Sequence, residues 1–267
     1  MTIVRGVRIM AAPCCGAQYA FPRYVSMNFS AFEYWTDGWR EYSLMPNDEG
    51  LRQCKCGQFV LTKDMVSIDK SEASNMDEDD SNDLPYMDHV PDQLLPECIS
   101  KASSEDMEVA ARLGYWRCLN HEYRERYRQH RDAEEAAIKS AWVAANPDRR
   151  TWWDKFLRRK PPEYRRPPNS PFTYPAFEPT DAQLQNMQRL SKVLFGRWEE
   201  SRKGYVINLV DLYREQGRFD EAELVISAMD IKTDDVTGQL IRNRRGGSCY
   251  RLWHALVDEK RRVRVVT

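Results

Sequence analysis

The stretch Cys54-Lys55-Cys56-Gly57, together with Cys14-Cys15-Gly16 nearer the N-terminus, decides the fold of the first third of the chain. Each cysteine pair is followed at once by glycine, which lets the backbone turn sharply and direct amide N–H groups at the sulfurs. Two thiol pairs on two short turns, separated by strand-forming residues, are typical of a structural zinc site of the ribbon type. We therefore predict one structural zinc ion, with these ligands: Cys14, Cys15, Cys54 and Cys56.

The spacing within the cysteine pairs departs from the usual ribbon pattern. Zinc ribbons commonly read C-x-x-C, with two residues between the ligands of a pair. Here the first pair is adjacent and the second has one residue between its members, and Ala12 and Gln53 stand where the first cysteine of each pair is expected. A degenerate ribbon that has lost its metal and is held by packing is the alternative to a zinc site.

The composition indicates a folded chain without a strong charge bias. Of the 267 residues, 42% are apolar and 30% are charged, and the formal net charge is −1. There is no run of about 18 apolar residues and no signal-like apolar segment at the start, so we expect a cytoplasmic protein with no membrane partner. Cytosolic cysteines stay reduced, which favours metal ligation for the clustered four. The isolated cysteines are interpreted as small apolar residues: Cys98, Cys118 and Cys249.

The texture of the sequence divides the chain into three parts. Residues 1–66 are rich in aromatic and turn-forming residues, with Asp37-Gly38 as a hairpin signal, and predict a small zinc-ribbon-like antiparallel sheet. Residues 67–102 are acidic, with a block at Asp77-Glu78-Asp79-Asp80, and are expected to form an exposed linker. Residues 103–267 predict a mainly helical domain. The predicted fold class is therefore α+β.

Capping residues and prolines mark helix boundaries in the last part. We expect Ser103 to start a helix and Asn146-Pro147 to end a long charged one. Seven prolines between residues 161 and 179 predict an extended strap that lies over the helices. Thr180 and Gln183 form a capping-box pattern at the start of a further helix.

The segment from Tyr205 to Ala222 has the clearest helical pattern and resembles one tetratricopeptide repeat. Gly217 is placed to end its first helix with a positive φ, and the small Ala222 permits close helix approach. No second copy follows at the expected interval of about 34 residues, so a single helical hairpin over about 203–230 is predicted rather than a repeat array. One face of the first helix is apolar: Val206, Leu209, Val210 and Tyr213.

The chain also resembles a group of uncharacterised bacterial proteins with an N-terminal zinc-ribbon-like module and a C-terminal helical, tetratricopeptide-repeat-like region. The resemblance rests on the two Cys-Gly turns, on Ser26 to Ala31 and Tyr34 to Gly38 between them, and on Gly217 to Ala222. It implies the same two-part architecture with a structural zinc ion. It implies no particular activity.

The sequence lacks the usual catalytic signatures. It contains no Gly-rich phosphate loop, G-x-S-x-G elbow or H-E-x-x-H helix, which favours a non-catalytic role over an enzyme. We predict a cytosolic adaptor or scaffold whose partner is an unidentified protein or peptide. The alternative is a nucleic-acid-binding protein that uses the zinc ribbon and the basic, aromatic C-terminal stretches. Its predicted contacts are Arg244, Arg245, Trp253, Arg261 and Arg262.

Overall fold

The chain folds into short antiparallel sheets followed by a mainly helical region, which confirms the predicted α+β class. It divides into two compact units, one formed by Met1–Cys118 with Pro179–Thr267 and the other by Leu119–Glu178. The computed structural model describes residues 2–28, 32–41, 50–68, 84–148, 150–157, 160, 163–166, 173, 175–201 and 205–227.

The strands all lie in the first unit and pair antiparallel wherever the structure describes them. β1 lies between β2 and β7 in one sheet, whereas β3–β4 and β5–β6 are separate two-stranded ladders. The predicted turn at Asp37-Gly38 joins β3 to β4, where the Asp37 carboxylate accepts the Trp39 N–H at 2.8 Å. The strands are β1 (Ile3–Ala11), β2 (Gln18–Ser26), β3 (Glu33–Tyr34), β4 (Arg40–Glu41), β5 (Leu51–Gln53), β6 (Phe59–Leu61) and β7 (Val66–Ser67).

Strand β6 lies between two apolar cores. Val60 packs into a small core with residues of β1 and β2, including Tyr19 and Phe21. Phe59 and Leu61 point to the opposite side, because side chains alternate along a strand, and pack into a second core with helical residues. All three β6 side chains are therefore buried, and β6 connects the sheets to the helices of the same unit.

Local signals set the helix boundaries. Thr180 and Gln183 form the predicted capping box, in which the Thr180 N–H donates to Gln183 Oε1 at 2.8 Å and the Gln183 N–H donates to Thr180 Oγ1 at 3.3 Å. The helix expected to start at Ser103 is capped one residue later, because Ser104 Oγ accepts the Met107 N–H at 3.2 Å. The helices are α1 (Leu95–Ser100), α2 (Glu105–Leu119), α3 (His121–Ala145), α4 (Trp152–Phe156), α5 (Asp181–Ser201), α6 (Val206–Glu215) and α7 (Phe219–Ser227).

Residues 84–102, the second half of the predicted acidic linker, contribute to the second core. Val90, Leu95 and Cys98 are at most 8% exposed and pack with Phe59 of β6. The stretch differs from an exposed spacer because its apolar side chains are buried against the sheet, although prolines keep its helix short. The acidic block at 77–80 lies outside the described residues.

Polar contacts join α2 to α5 and α6 in the first unit. Arg189 and Arg112 each donate through Nε to Glu108 at 2.8 Å and hold the pKa of this carboxyl at about 2. Trp116 is fully buried, and its indole N–H donates to Glu215 at 2.7 Å. Burial raises the pKa of the Glu215 carboxyl.

Helices α6 and α7 form the predicted hairpin. Gly217 has a φ of +70°, and the hydrogen bonds that end α6 run from the Gly217 N–H to the Arg214 carbonyl at 3.0 Å and from the Arg218 N–H to the Tyr213 carbonyl at 2.8 Å. Ala222 is fully buried, as a close approach of the two helices requires. The hairpin is confirmed, and its relation to the tetratricopeptide repeat stays a prediction.

In the second unit, the proline-rich strap after α4 runs back along α3. The rings of Tyr123 and Phe177 meet edge to face at 5.2 Å near the start of α3, and those of Trp142 and Tyr164 meet at 5.7 Å near its end. The proline-rich strap therefore runs antiparallel to α3 in those parts of residues 163–178 that the structure describes.

Changing Gly217 to alanine should lower the free energy of unfolding by about 1–2 kcal/mol, because a residue with a Cβ is strained in the left-handed region. An added Cβ there meets no atom within 4 Å, so the backbone alone causes the loss. Gly196→Ala in α5 is the matched control. Its Cβ also meets no atom within 4 Å, and helix propensity predicts a gain of about 1 kcal/mol. Urea unfolding measures both, and a Gly217→Ala protein as stable as the parent would contradict the expectation.

Candidate metal centre

The first cysteine pair lies in the loop between β1 and β2. The Ala12 N–H donates to the Ala17 carbonyl and the Gly16 N–H donates to the Ala12 carbonyl, both at 2.8 Å, so the loop closes on itself. Gly16 has a φ of +70°, which a residue with a Cβ rarely adopts. This closure presents Cys14 and Cys15 together on the exposed side of the loop.

The second pair lies in the turn between β5 and β6. The Cys54 N–H donates to the Gln58 carbonyl and the Gly57 N–H donates to the Cys54 carbonyl, again both at 2.8 Å. Gly57 has a φ of +85°. Each cysteine pair thus ends on a glycine that closes the turn, as the sequence predicted. Cys54 is buried, whereas Cys56 is exposed.

The two turns bring all four sulfurs together despite the unusual spacing in sequence. Cys14 Sγ lies 3.5 Å from Cys56 Sγ, and Cys15 Sγ lies 3.5 Å from Cys54 Sγ. All four sulfurs lie within 4.8 Å of one another. Sulfurs bound at about 2.3 Å to one tetrahedral ion stand about 3.8 Å apart, so this arrangement could hold a single metal ion. Among the described residues, no other group of three or more His, Cys, Asp or Glu side chains is placed to do so.

The surroundings shift the pKa values of Cys14 and Cys54 in opposite directions. Burial, and then the neighbouring thiols, raise the pKa of Cys14 to about 12. Burial also acts to raise the pKa of Cys54, but the Cys56 N–H and the Tyr19 hydroxyl donate to its thiolate and lower this pKa to about 6. A cation among the sulfurs would supply the positive charge that deprotonates the remaining thiols.

Tyr19 is the site residue that the sequence analysis missed. Its hydroxyl lies 3.3 Å from Cys54 Sγ and accepts the Lys55 N–H at 2.8 Å. Burial raises its pKa to about 12, so the hydroxyl keeps its proton and donates to the sulfur. The signal in the sequence is a tyrosine four residues after Cys15 in a predicted strand, because a buried tyrosine hydroxyl needs a hydrogen-bond partner.

The isolated cysteines take no part in this group. Cys98 is fully buried, and burial raises the pKa of its thiol to about 11, which suits a small apolar core residue. Cys118 is half-buried. Cys249 lies outside the described residues, as do the predicted nucleic-acid contacts, Arg244, Arg245, Trp253, Arg261 and Arg262.

Comparisons with protein families, with curated proteins and with solved structures find no match to this chain. The resemblance to bacterial proteins with a zinc-ribbon-like module therefore stays a prediction. None of the helices within the described residues has the length and apolar character needed to cross a membrane.

Changing Tyr19 to phenylalanine should lower the free energy of unfolding by about 1–3 kcal/mol, because the Lys55 N–H loses its acceptor and the buried Cys54 sulfur loses its donor. Tyr86→Phe is the matched control, since Tyr86 is 62% exposed. Urea unfolding of both purified variants measures the difference. If Tyr19→Phe unfolds at the same urea concentration as Tyr86→Phe, Tyr19 does not support the cysteine turns.

Proposed function

We propose that this protein is a non-catalytic adaptor whose N-terminal sheet is stabilised by one structural zinc ion. The convergence of four cysteine sulfurs on two turns supports the proposal most directly. A tetrahedral set of four sulfurs suits zinc or iron among the common metals, and cysteine turns closed by glycine are typical of structural zinc.

A site with four thiolates is structural because it has no open position. Catalytic zinc keeps one position for water or substrate, whereas four sulfur ligands complete the tetrahedral shell. The turns that carry the cysteines belong to the β1–β2 and β5–β6 hairpins, which lie in different sheets. A bound ion would therefore bond two hairpins that otherwise meet through apolar packing and the hydrogen bonds of Tyr19, in a region too small to rely on its core alone.

The adaptor role draws support from the free end of the β1–β2 ribbon. Ile3, Val4, Val25 and Met27 are between 45% and 63% exposed there, and we call these four residues the ribbon end. Exposed apolar side chains gathered on one element commonly mark a protein-binding surface. Exposed arginines, at positions 5 and 23, flank them. The ribbon end therefore suits a protein segment that combines apolar side chains with carboxylates.

Purified protein should contain one zinc ion per chain, and Cys56→Ser should remove it. Structural zinc contributes on the order of 10 kcal/mol to the folding of small modules, so hydrogen exchange should rise most at the β5–β6 amides and less in α5 to α7, which lie in the same unit but carry no cysteine of the group. Cys118→Ser, which changes a cysteine outside the group, is the matched control and should keep its zinc. Elemental analysis and native mass spectrometry give the metal content.

Two results would overturn the zinc site. One is a parent protein that contains no metal after expression with zinc. The other is iron at one ion per chain.

The double change Val4→Asp with Val25→Asp should weaken binding of the protein partner at least tenfold, because charged side chains replace the apolar centre of the contact. Leu224→Asp in α7, at a residue 57% exposed, is the matched control. Cross-linking from the ribbon end identifies the partner, and titration of the purified pair gives the dissociation constant. High salt should leave this constant nearly unchanged if the centre of the contact is apolar.

A nucleic-acid-binding protein would behave differently in the same assay. Its affinity would fall steeply with salt because counterions are released from the phosphates. Micromolar binding to an oligonucleotide at physiological salt, unaffected by the ribbon-end changes, would replace the adaptor with the nucleic-acid alternative.

A further inference from the structure

Helix α4 carries a group of large apolar side chains that remain exposed. Trp152, Trp153, Phe156 and Leu157 are between 60% and 66% exposed, and the Leu157 N–H continues the helical turn by donating to the Trp153 carbonyl at 2.9 Å. We call these four residues the aromatic tip. Four adjacent side chains of this size with most of their surface in solvent indicate a binding surface rather than chance exposure.

The three rings of the aromatic tip pack against one another. Trp152 and Phe156 stack with an interplanar angle of 20° and a centroid distance of 5.6 Å. Trp153 meets Trp152 edge to face at 4.5 Å and Phe156 at 6.0 Å. The rings thus form one compact apolar wedge, to which Leu157 adds an aliphatic side chain.

The aromatic tip lies at one end of the second unit. α3 has 25 residues and is therefore about 37 Å long. The chain enters and leaves this unit near the start of α3, where Tyr123 contacts Phe177. α4 follows within seven residues of the other end of α3. In sequence, the wedge therefore follows the end of α3 that lies away from the two chain connections of the unit.

The chain around the wedge is strongly basic. Residues 149–160 include six Lys or Arg residues and a single acid, Asp154. Lys155 belongs to α4 itself, and Lys160 follows three residues after Leu157 and is exposed. Tryptophan, phenylalanine and leucine next to lysine and arginine form the combination that binds at the boundary between lipid headgroups and acyl chains.

We propose that the aromatic tip binds the surface of membranes that contain anionic phospholipids. The apolar wedge enters the headgroup boundary, and Lys155 and Lys160 bind the negatively charged headgroups. Such a contact is peripheral and needs no spanning helix, whereas the sequence-based expectation of no membrane partner rested on the lack of a spanning segment. It also goes beyond the adaptor role, because it uses the second unit and neither the cysteine group nor the ribbon end.

The geometry favours lipid over single-stranded nucleic acid as the occupant. Bases stack on aromatic rings whose faces are open, but here Trp152 and Phe156 cover one face of each other, which leaves each ring one face for a base. Leu157, 60% exposed, offers no ring for a base. An apolar wedge within a basic stretch of sequence has both features that an anionic lipid surface requires.

Co-sedimentation of the full-length protein with vesicles tests the proposal. Vesicles of phosphatidylcholine alone are compared with vesicles that contain about 30 mol% phosphatidylserine, close to the anionic character of a cytoplasmic leaflet. The parent protein should bind the anionic vesicles and should not bind the neutral ones. Trp153→Ala with Phe156→Ala should bind at least tenfold more weakly at low and at high salt. The matched control is Phe32→Ala with Leu224→Ala, which removes two exposed apolar side chains from the first unit and should bind like the parent.

The lysines should show a different dependence on salt. Lys155→Gln with Lys160→Gln should bind about 25-fold more weakly at low salt, because each lysine near an anionic surface contributes about fivefold. The difference from the parent should shrink at high salt as headgroup charges are screened. Circular dichroism of each variant checks that the helices remain.

Three results would overturn the proposal. The first is a parent protein that binds neither kind of vesicle. The second is a Trp153→Ala, Phe156→Ala variant that binds anionic vesicles as tightly as the parent. The third is binding of a single-stranded oligonucleotide, lost in the same variant, without vesicle binding, which would assign the aromatic tip to nucleic acid.

Discussion

The N-terminal region is organised around four sulfurs that lie within 4.8 Å of one another. Neutral thiols can occupy such a space, but four thiolates cannot unless positive charge lies among them. Two turns, closed by Gly16 and Gly57, hold the cysteines in place so that their sulfurs meet. Tyr19 also donates a hydrogen bond to the sulfur of Cys54, whose pKa is lowered to about 6.

The cysteine group reaches the helices of the same unit through β6. Val60 packs toward the cysteine turns, and its neighbours Phe59 and Leu61 pack toward α1 and α2. From α2, the contacts of Glu108 with Arg189 and of Trp116 with Glu215 continue to α5 and α6. A shift of the β5–β6 hairpin would therefore disturb both cores at once, because interiors packed at crystal-like density transmit displacement.

Features that depend on a few neighbouring residues could be predicted from the sequence. The capping box of Thr180 and Gln183 and the left-handed Gly217 follow from local chemistry. The two cysteine turns are about 40 residues apart, and their convergence could be predicted only because one metal ion would need all four thiols. The cap at Ser104 instead of Ser103 is a one-residue difference, since adjacent serines offer the backbone the same hydroxyl.

Features that depend on distant residues could not be predicted in the same way. The burial of Leu95 and Cys98 requires β6 as a partner, and local acidity had indicated an exposed spacer. The tyrosine that supports Cys54 is 35 residues away in sequence. Trp152 and Trp153 are exposed, although tryptophan is usually largely buried. Their exposure could not be predicted from the local sequence, because burial depends on which distant residues pack over a side chain.

The first unit is built from two segments that are separated in sequence by the second unit, and this affects folding during synthesis. Trp116 leaves the exit tunnel 99 residues before Glu215, its hydrogen-bond partner, and at about 5–20 residues per second this is a wait of roughly 5–20 s. The contacts of Tyr123 with Phe177 and of Trp142 with Tyr164 close earlier. The contacts within residues 119–178 can therefore form before those that join α2 to α6, and during that interval Trp116 lacks its hydrogen-bond partner.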